Sequence, residues 1–336
     1  MDVTIIGAGV AGLCCAVELA ERGADVEVLE RGERLGANSC SWYAGGMLAP
    51  WCERETAEPL VAELGEEGLE WWAGHFPGLV RSGSLVIAHG RDRSELTRFA
   101  RRTEHYQQLE RADIGALEPD LAGRFEQALL FPDEAHLDPR AALASLSRRL
   151  ETLGGRIRFG TDAAQVRLHN RQVIDCSGLA ARKDLPDLRG VKGEMLVLQT
   201  PEISLSRPVR LLHPRIPLYV VPRGQGVFMV GATMIESDDT TRITARSMLE
   251  LLSAAYALHP AFAEAEIIEI GTHARPAFPD NLPRIRQIDG TLYLNGLYRH
   301  GFLLAPALAR RAAGVLLEDR HYPELMHEDA RERRLA

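Results

Sequence analysis

Val3-Thr4-Ile5-Ile6-Gly7-Ala8-Gly9-Val10-Ala11-Gly12 begins as a short β-branched run and breaks into a G-x-G-x-x-G fingerprint. Leu13, Ala16, Val17 and Ala20 then recur at helical spacing as far as Gly23, a residue suited to ending a helix. Asp25-Val26-Glu27-Val28-Leu29 alternates as a second strand, and Glu30 closes it 18 residues past Gly12. In a nucleotide site each part has a task. Gly7 permits the tight turn, Gly9 lets the backbone approach a pyrophosphate, and Gly12 lets the helix pack closely on the strand. The phosphates meet unpaired N–H groups at the positive end of the helix, and the acidic residue accepts from an adenosine ribose. The motif by itself does not separate FAD from NAD.

Around this stretch stands a chain of 336 residues, enough for two domains. Hydrophobic residues at 46% and charged residues at 26% are globular proportions, which excludes disorder and collagen-like architecture. No run reaches the ~18 uncharged apolar residues of a membrane span. The apolar run from Val3 to Val17 follows Asp2 and is broken by glycines, unlike a secretory signal. A net charge of −8 argues against nucleic acid and anionic membranes as partners. The five cysteines (Cys14, Cys15, Cys40, Cys52 and Cys176) are odd in number and form no C-x-x-C, so neither a disulfide framework nor a metal site is expected. The chain reads as a soluble, cytoplasmic protein of α/β (α+β mixed) class.

Further along, Glu33 to Pro50 is dense in small residues, the pattern of backbone laid flat against a large ligand. The spacing predicts helices over Ala57 to Trp72 and Arg93 to Gln108 and a strand over Gly83 to Ala88, in an inserted region with no visible chemistry. Asp138-Pro139 opens another helix with an N-cap and a proline at its first position, and Gly154 closes it. Leu218-Tyr219-Val220-Val221-Pro222 and Val227-Phe228-Met229-Val230-Gly231 flank Arg223 to Gly226 as a hairpin. Ala245 to Leu258 is an amphipathic helix. Ile267 to Arg275 alternates, placing His273 and Arg275 on one face. Leu292 to Asn295 is a strand, Gly296 to Gly301 a tight loop, and Leu304 to Leu317 a helix with Pro306 in its first turn.

Together the pieces resemble the D-amino-acid-oxidase superfamily of FAD enzymes, and within it the glycine oxidases of thiamin biosynthesis. The resemblance rests on Gly7 to Gly12 with Glu30 and Arg31, Ala44-Gly45-Gly46-Met47, Val191-Lys192-Gly193-Glu194 and Tyr219-Val220-Val221-Pro222-Arg223. It continues through Val230-Gly231-Ala232-Thr233-Met234, Ala274-Arg275-Pro276, and Gly296-Leu297-Tyr298-Arg299-His300-Gly301-Phe302-Leu303-Leu304-Ala305-Pro306. It implies a Rossmann-like FAD-binding domain with an interleaved antiparallel-sheet substrate domain. The FAD domain would comprise residues 1–50, 140–190 and 271–330, and the substrate domain 51–139 and 191–270.

Carried over position by position, the resemblance puts Val10 and Ala11, within the Gly7, Gly9 and Gly12 loop, at the pyrophosphate and Glu30 and Arg31 at the adenosine. Cys40, Ser41, Gly45, Gly46 and Met47 would lie along the flavin, and the Val166 backbone near the adenine, although Thr161 to Ile174 is shorter than the family's usual strand meander. Leu297, Tyr298, Arg299, His300, Gly301, Phe302 and Leu303 would border the isoalloxazine. Arg275 and Tyr219 would hold a substrate carboxylate, Met234 would line the pocket, and Arg299 would stand near substrate and flavin. Relatives with covalent flavin use a cysteine in the C-terminal third. None follows Cys176 here, so noncovalent FAD is expected.

This chemistry suits the residue types. A planar arginine fork grips a carboxylate through two hydrogen bonds, which lysine cannot do. Hydride transfer from an amino acid to flavin needs orientation more than an acid–base pair, so His273 and His300 read as structural or positional. The implied reaction takes glycine, and secondarily sarcosine or small D-amino acids, to the imine, with O2 reduced to H2O2 and iminoacetate supplied for the thiazole of thiamin. The implied partners are the thiazole synthase as product acceptor and further copies of the chain in a homo-oligomer. The rivals are an FAD-dependent amine dehydrogenase that passes electrons to a carrier, a sarcosine or D-amino acid oxidase, and a nicotinamide-dependent Rossmann protein.

Overall fold

The computed structural model describes residues 1–168, 171–213 and 217–326. The expected end of the nucleotide domain at 330 lies outside them. Strand Asp2–Ile6 runs into the glycine loop and helix Val10–Glu21, and strand Asp25–Leu29 returns parallel to the first, in register from Asp2↔Asp25 to Ile6↔Leu29. Later segments complete this sheet. Gln172–Asp175 and Arg156–Arg158 flank the first two strands, and the order across six strands is Arg284–Ile288, Thr291–Asn295, Gln172–Asp175, Asp2–Ile6, Asp25–Leu29, Arg156–Arg158. All pairs are parallel except the terminal hairpin Arg284–Ile288 with Thr291–Asn295.

The second sheet has nine strands among the described residues. Its spine is the long strand Arg189–Gln199, paired antiparallel with Glu266–Ala277 from Arg189↔Ala277 to Gln199↔Glu266, and on its other side with Val227–Gly231. The hairpin of Leu218–Pro222 and Val227–Gly231 forms as the pattern predicts, with Tyr219 opposite Gly231. The sheet is antiparallel with one exception, the parallel pairing of Val209–Leu212 with Ser84–Ala88. The domain limits expected at 190/191 and 270/271 fall inside continuous strands of this sheet.

Predicted helices differ in extent: Ala57 to Trp72 forms as Pro59–His75, and two others depart for identifiable reasons. Arg93–Arg102 ends early because Thr103 turns extended and its hydroxyl bonds back to Phe99 O at 2.9 Å, after which Gln107–Glu110 is a strand. The C-terminal helix runs Gly301–Glu318, so Pro306 lies inside it and not in its first turn. A proline there strips the N–H that would bond the Phe302 carbonyl. The Trp72 indole donates to that carbonyl at 2.7 Å, so the orphaned acceptor is satisfied from the neighbouring helix Pro59–His75. These helices meet closely. A Cβ on Gly68 would stand 1.9 Å from Leu303 O, so no larger residue fits the contact. None of the described helices is long and apolar enough to cross a membrane.

Candidate active site

A cavity of about 360 Å³ lies between the nine-stranded sheet and the starts of helices Val10–Glu21 and Gly301–Glu318. Its walls come from the glycine loop (Val10), the small-residue segment Cys40 to Met47, the sheet residues Tyr219, His273 and Arg275, and the turn into the last helix, Tyr298 to Leu303. Of the residues singled out in sequence, Val10, Cys40, Ser41, Gly45, Gly46, Met47, Tyr219, Met234, Arg275, Tyr298, Arg299, His300, Gly301, Phe302 and Leu303 line it. Gly7, Gly9, Ala11, Gly12, Glu30, Arg31, Val166 and Leu297 do not.

The second group separates by position. Gly7, at φ +98, makes the turn out of the first strand, its N–H bonding Leu29 O at 2.8 Å. Gly9 is the N-cap of helix Val10–Glu21 and offers no side chain to cap it, so the N–H groups of Ala11 and Gly12, which precede the helical ladder, can serve an outside acceptor. Val10 N bonds Ser41 Oγ at 3.1 Å and ties the loop to the cavity wall. The Glu30 carboxylate accepts from Ala8 N at 2.8 Å and Gly32 N at 2.7 Å, reaching from the end of the second strand to the glycine loop. Arg31 is exposed, Leu297 is buried, and Val166 follows the short turn Ala163–Gln165 outside the cavity lining.

The small residues at 44–46 have a reason beyond a ligand. A Cβ on Gly45 would come within 2.8 Å of the Tyr219 ring, and one on Gly46 within 2.2 Å of Leu137 O. Protein packing alone therefore requires both glycines, while each still presents backbone to the cavity. Tyr219 fits between Gly45 and Gly231, and burial raises the pKa of its phenol, so it stays a neutral donor at physiological pH.

Arg275 lies flat over Gly193. A Cβ on that glycine would sit 2.3 Å from Nη2 and 2.4 Å from Cζ of the guanidinium. Arg275 Nη1 donates to Thr233 O at 3.2 Å, and no carboxylate among the described residues forms an ion pair with it. Thr233 is fixed in turn: its Oγ1 accepts from Glu194 N at 3.0 Å and donates to the buried Glu194 carboxylate at 2.9 Å. A fixed cation facing a cavity without its own counter-ion calls for an anionic ligand.

Sequence reasoning missed Glu53 and Arg210. Glu53 ends the short helix Pro50–Glu53, in the region expected to hold no chemistry, and it is buried in the cavity wall. It pairs with Arg210 through one oxygen and with Arg299 Nη2 at 2.7 Å through the other, with His300 Nδ1 at 3.5 Å. Burial alone would raise its pKa, but the Arg299 and Arg210 guanidinium groups outweigh it and hold the carboxyl well below the usual carboxylate range. Burial pushes His300 down to about 4 against the pull of Glu53, so its imidazole is neutral at pH 7. Arg299 also bonds Thr56 Oγ1 at 2.7 Å and, with Tyr298, contacts the sulfur of Met234, an exposed residue of the cavity lining.

Behind Glu53, Glu134 is fully buried, accepting from Cys52 N at 2.7 Å, and burial pushes its pKa up to about 7. The folded state thus favours its protonated form. Stability from this group is complete below the unfolded value near 4.5 and is lost as pH rises toward 7. Glu134→Gln is therefore expected to be near neutral at pH 5 and to gain about 1–3 kcal/mol at pH 8. Urea unfolding at the two pH values checks this, and an equal effect at both would refute it.

The family profile described as FAD dependent oxidoreductase, DAO, matches residues 2–314. A protein of Rhizobium etli named for thiamine biosynthesis as the oxidoreductase ThiO is 56% identical over 96% of this chain and 99% of its own length. A glycine oxidase of Geobacillus kaustophilus is 27% identical over 95% of this chain and 92% of that protein. The crystal structure of glycine oxidase from Bacillus cereus superposes with a TM-score of 0.84 over 98% of this chain and 99% of that one, at 23% identity, a likeness of fold.

Proposed function

Because the chain belongs to the DAO family of FAD-dependent oxidoreductases, we propose that it is an FAD-dependent oxidase of glycine whose product serves thiamin biosynthesis. The carrying observation is Arg275, a cation in the cavity wall fixed by Thr233 and Gly193 and lacking an anionic partner among the described residues. The 56% identical relative named for thiamine biosynthesis supports the pathway, and relatives named glycine oxidase support the substrate.

The residues fit FAD, held without a covalent bond. The uncapped helix start at Gly9 suits the pyrophosphate and Glu30 the adenosine ribose. At the cavity's other end the first bond of the last helix runs from Leu304 N to His300 O. The N–H groups of Gly301, Phe302 and Leu303 therefore precede the helical ladder, and these residues line the cavity, where the helix dipole favours negative charge. Bound FAD would take a hydride from the substrate α-carbon and pass the electrons to O2, giving H2O2 and, from glycine, iminoacetate.

The chain's own part is orientation. Arg275 would grip the substrate carboxylate by its fork, and the Tyr219 hydroxyl would donate to the same group. The neutral imidazole of His300 leaves no strong acid beside the amine. Met234 and Tyr298, in the cavity lining, would limit water and substrate length. The FAD domain is proposed as 1–50, 140–190 and 271–330 and the substrate domain as 51–139 and 191–270; the six-stranded sheet supports the joining of the three FAD segments, while the strands that cross 190/191 and 270/271 belong to the large sheet. The thiazole synthase as product acceptor and a homo-oligomeric state belong to the same proposal.

Peroxide formed per glycine consumed tests the oxidase. A ratio near one is expected, whereas glycine consumption with almost no peroxide would mean a dehydrogenase that uses a carrier.

A further inference from the structure

Two arginines face the same cavity and differ in one respect. Arg275 has no carboxylate partner among the described residues, while Arg299 is engaged by Glu53 at 2.7 Å and further held by Thr56. The charge around the cavity follows the same division. Glu53, Glu55 and Glu95 line it, against Arg98, Arg210, Arg275 and Arg299. Glu95 and Glu55 lie 2.7 and 3.6 Å from Arg98, and Glu53 bridges Arg210 and Arg299. Of these four guanidinium groups, Arg275 is the one that touches no carboxylate among the described residues, while Arg98, Arg210 and Arg299 each do.

We propose that Glu53 is a specificity-determining residue: by occupying Arg299 it leaves the cavity fit for one carboxylate and closes it to amino acids and amines that carry two. The argument rests on Arg275 as the clamp of the oxidase reading. Discrimination of this kind is achieved as much by a repulsive element as by an attractive one. Glu53 is both. It occupies Arg299 Nη2, and a second carboxylate seeking the same nitrogen would meet the Glu53 oxygens at contact distance, where like charges repel. The other side chains that bond Arg299 carry no charge: Thr56 offers a hydroxyl, and Met234 a sulfur at 3.6 Å.

Removing Glu53 alone would strand the partly buried Arg210, so the informative variant is the double Glu53→Gln/Arg210→Met, which frees Arg299 without changing net charge. Glycine and iminodiacetate serve as substrates with peroxide as readout, and acetate and malonate as ligands titrated by the flavin absorbance change. The wild type should bind acetate at least as tightly as malonate. The double variant should shift both ratios toward the dicarboxylates by about tenfold or more, and adding Arg299→Met should reverse the shift. Ratios unchanged in a double variant that retains its flavin would overturn the proposal. A wild type that prefers malonate would do the same, and that arm stands whether or not the variant folds. A wild type that binds acetate yet leaves glycine unoxidised would instead sink the oxidase reading while sparing the role of Glu53.

Discussion

Arg275→Ala is expected to keep its flavin and its fold and to lose glycine. The side chain belongs to the long strand Glu266–Ala277 of the large sheet and makes no hydrogen bond to the glycine loop or to Glu30, so its truncation leaves the dinucleotide's proposed anchors in place. Its guanidinium makes one bond within the protein, to Thr233 O at 3.2 Å, so truncation strands no buried ion partner. What disappears is the charge for the substrate carboxylate. Truncating one side of a desolvated charge pair costs about 2–5 kcal/mol, here as a KM for glycine raised about 30-fold or more. Arg275→Lys should recover little, because a single ammonium cannot reproduce the two-pronged geometry over Gly193. Steady-state peroxide kinetics with a flavin-to-protein absorbance ratio decide the matter. Glycine kinetics equal to the wild type, at equal flavin content, would remove Arg275 from the site.

The residues that sequence exposed and those it hid differ in how their signal is carried. The strand, glycine loop, helix and second strand lie within the first thirty residues, where local periodicity and turn chemistry speak for themselves, and the structure has them at Asp2–Ile6, Val10–Glu21 and Asp25–Leu29. The hairpin holding Tyr219 is equally local. Glu53 and Arg210 meet across 157 residues of chain, in a sequence with 39 Lys and Arg and 47 Asp and Glu. No short-range rule picks one such pair out. Arg210 stands directly opposite Tyr219 in the sheet, a neighbour visible only once strand register is known. Pro306 misled for the opposite reason. Proline is a sound marker of a first helical turn, but Trp72, far away in sequence, accepts the cost of placing it deeper by donating to the Phe302 carbonyl. The glycines at 45 and 46 were legible as close packing, although their nearest neighbours are Tyr219 and Leu137 of the protein itself.

Gly12→Ala should produce the second large effect, loss of the dinucleotide at modest cost to the rest of the molecule. A Cβ there would lie 1.9 Å from Gly7 O, 3.1 Å from Gly7 C and 3.4 Å from Ile5 Cγ2. The carbonyl cannot yield. Gly7 is bonded through its N–H to Leu29 O at 2.8 Å, and it abuts the Cys176 carbonyl so closely that its own Cβ would come within 2.9 Å. With the turn pinned between strands, the helix must back away by about 1.5 Å to restore ordinary van der Waals distance, at a cost of about 1–3 kcal/mol. That movement carries off the first-turn N–H groups, and backbone donors lose most of their value when displaced by this much from an anion. Gly23→Ala is the control. It ends the same helix at φ +87 with nothing within 4 Å, so alanine there strains the backbone without moving the helix start. Both variants should lower the melting temperature, but only Gly12→Ala should emerge with its flavin-to-protein ratio reduced several-fold after dialysis. Full flavin retention in Gly12→Ala would show that the pyrophosphate is not held at this helix, whatever the fingerprint in front of it suggests.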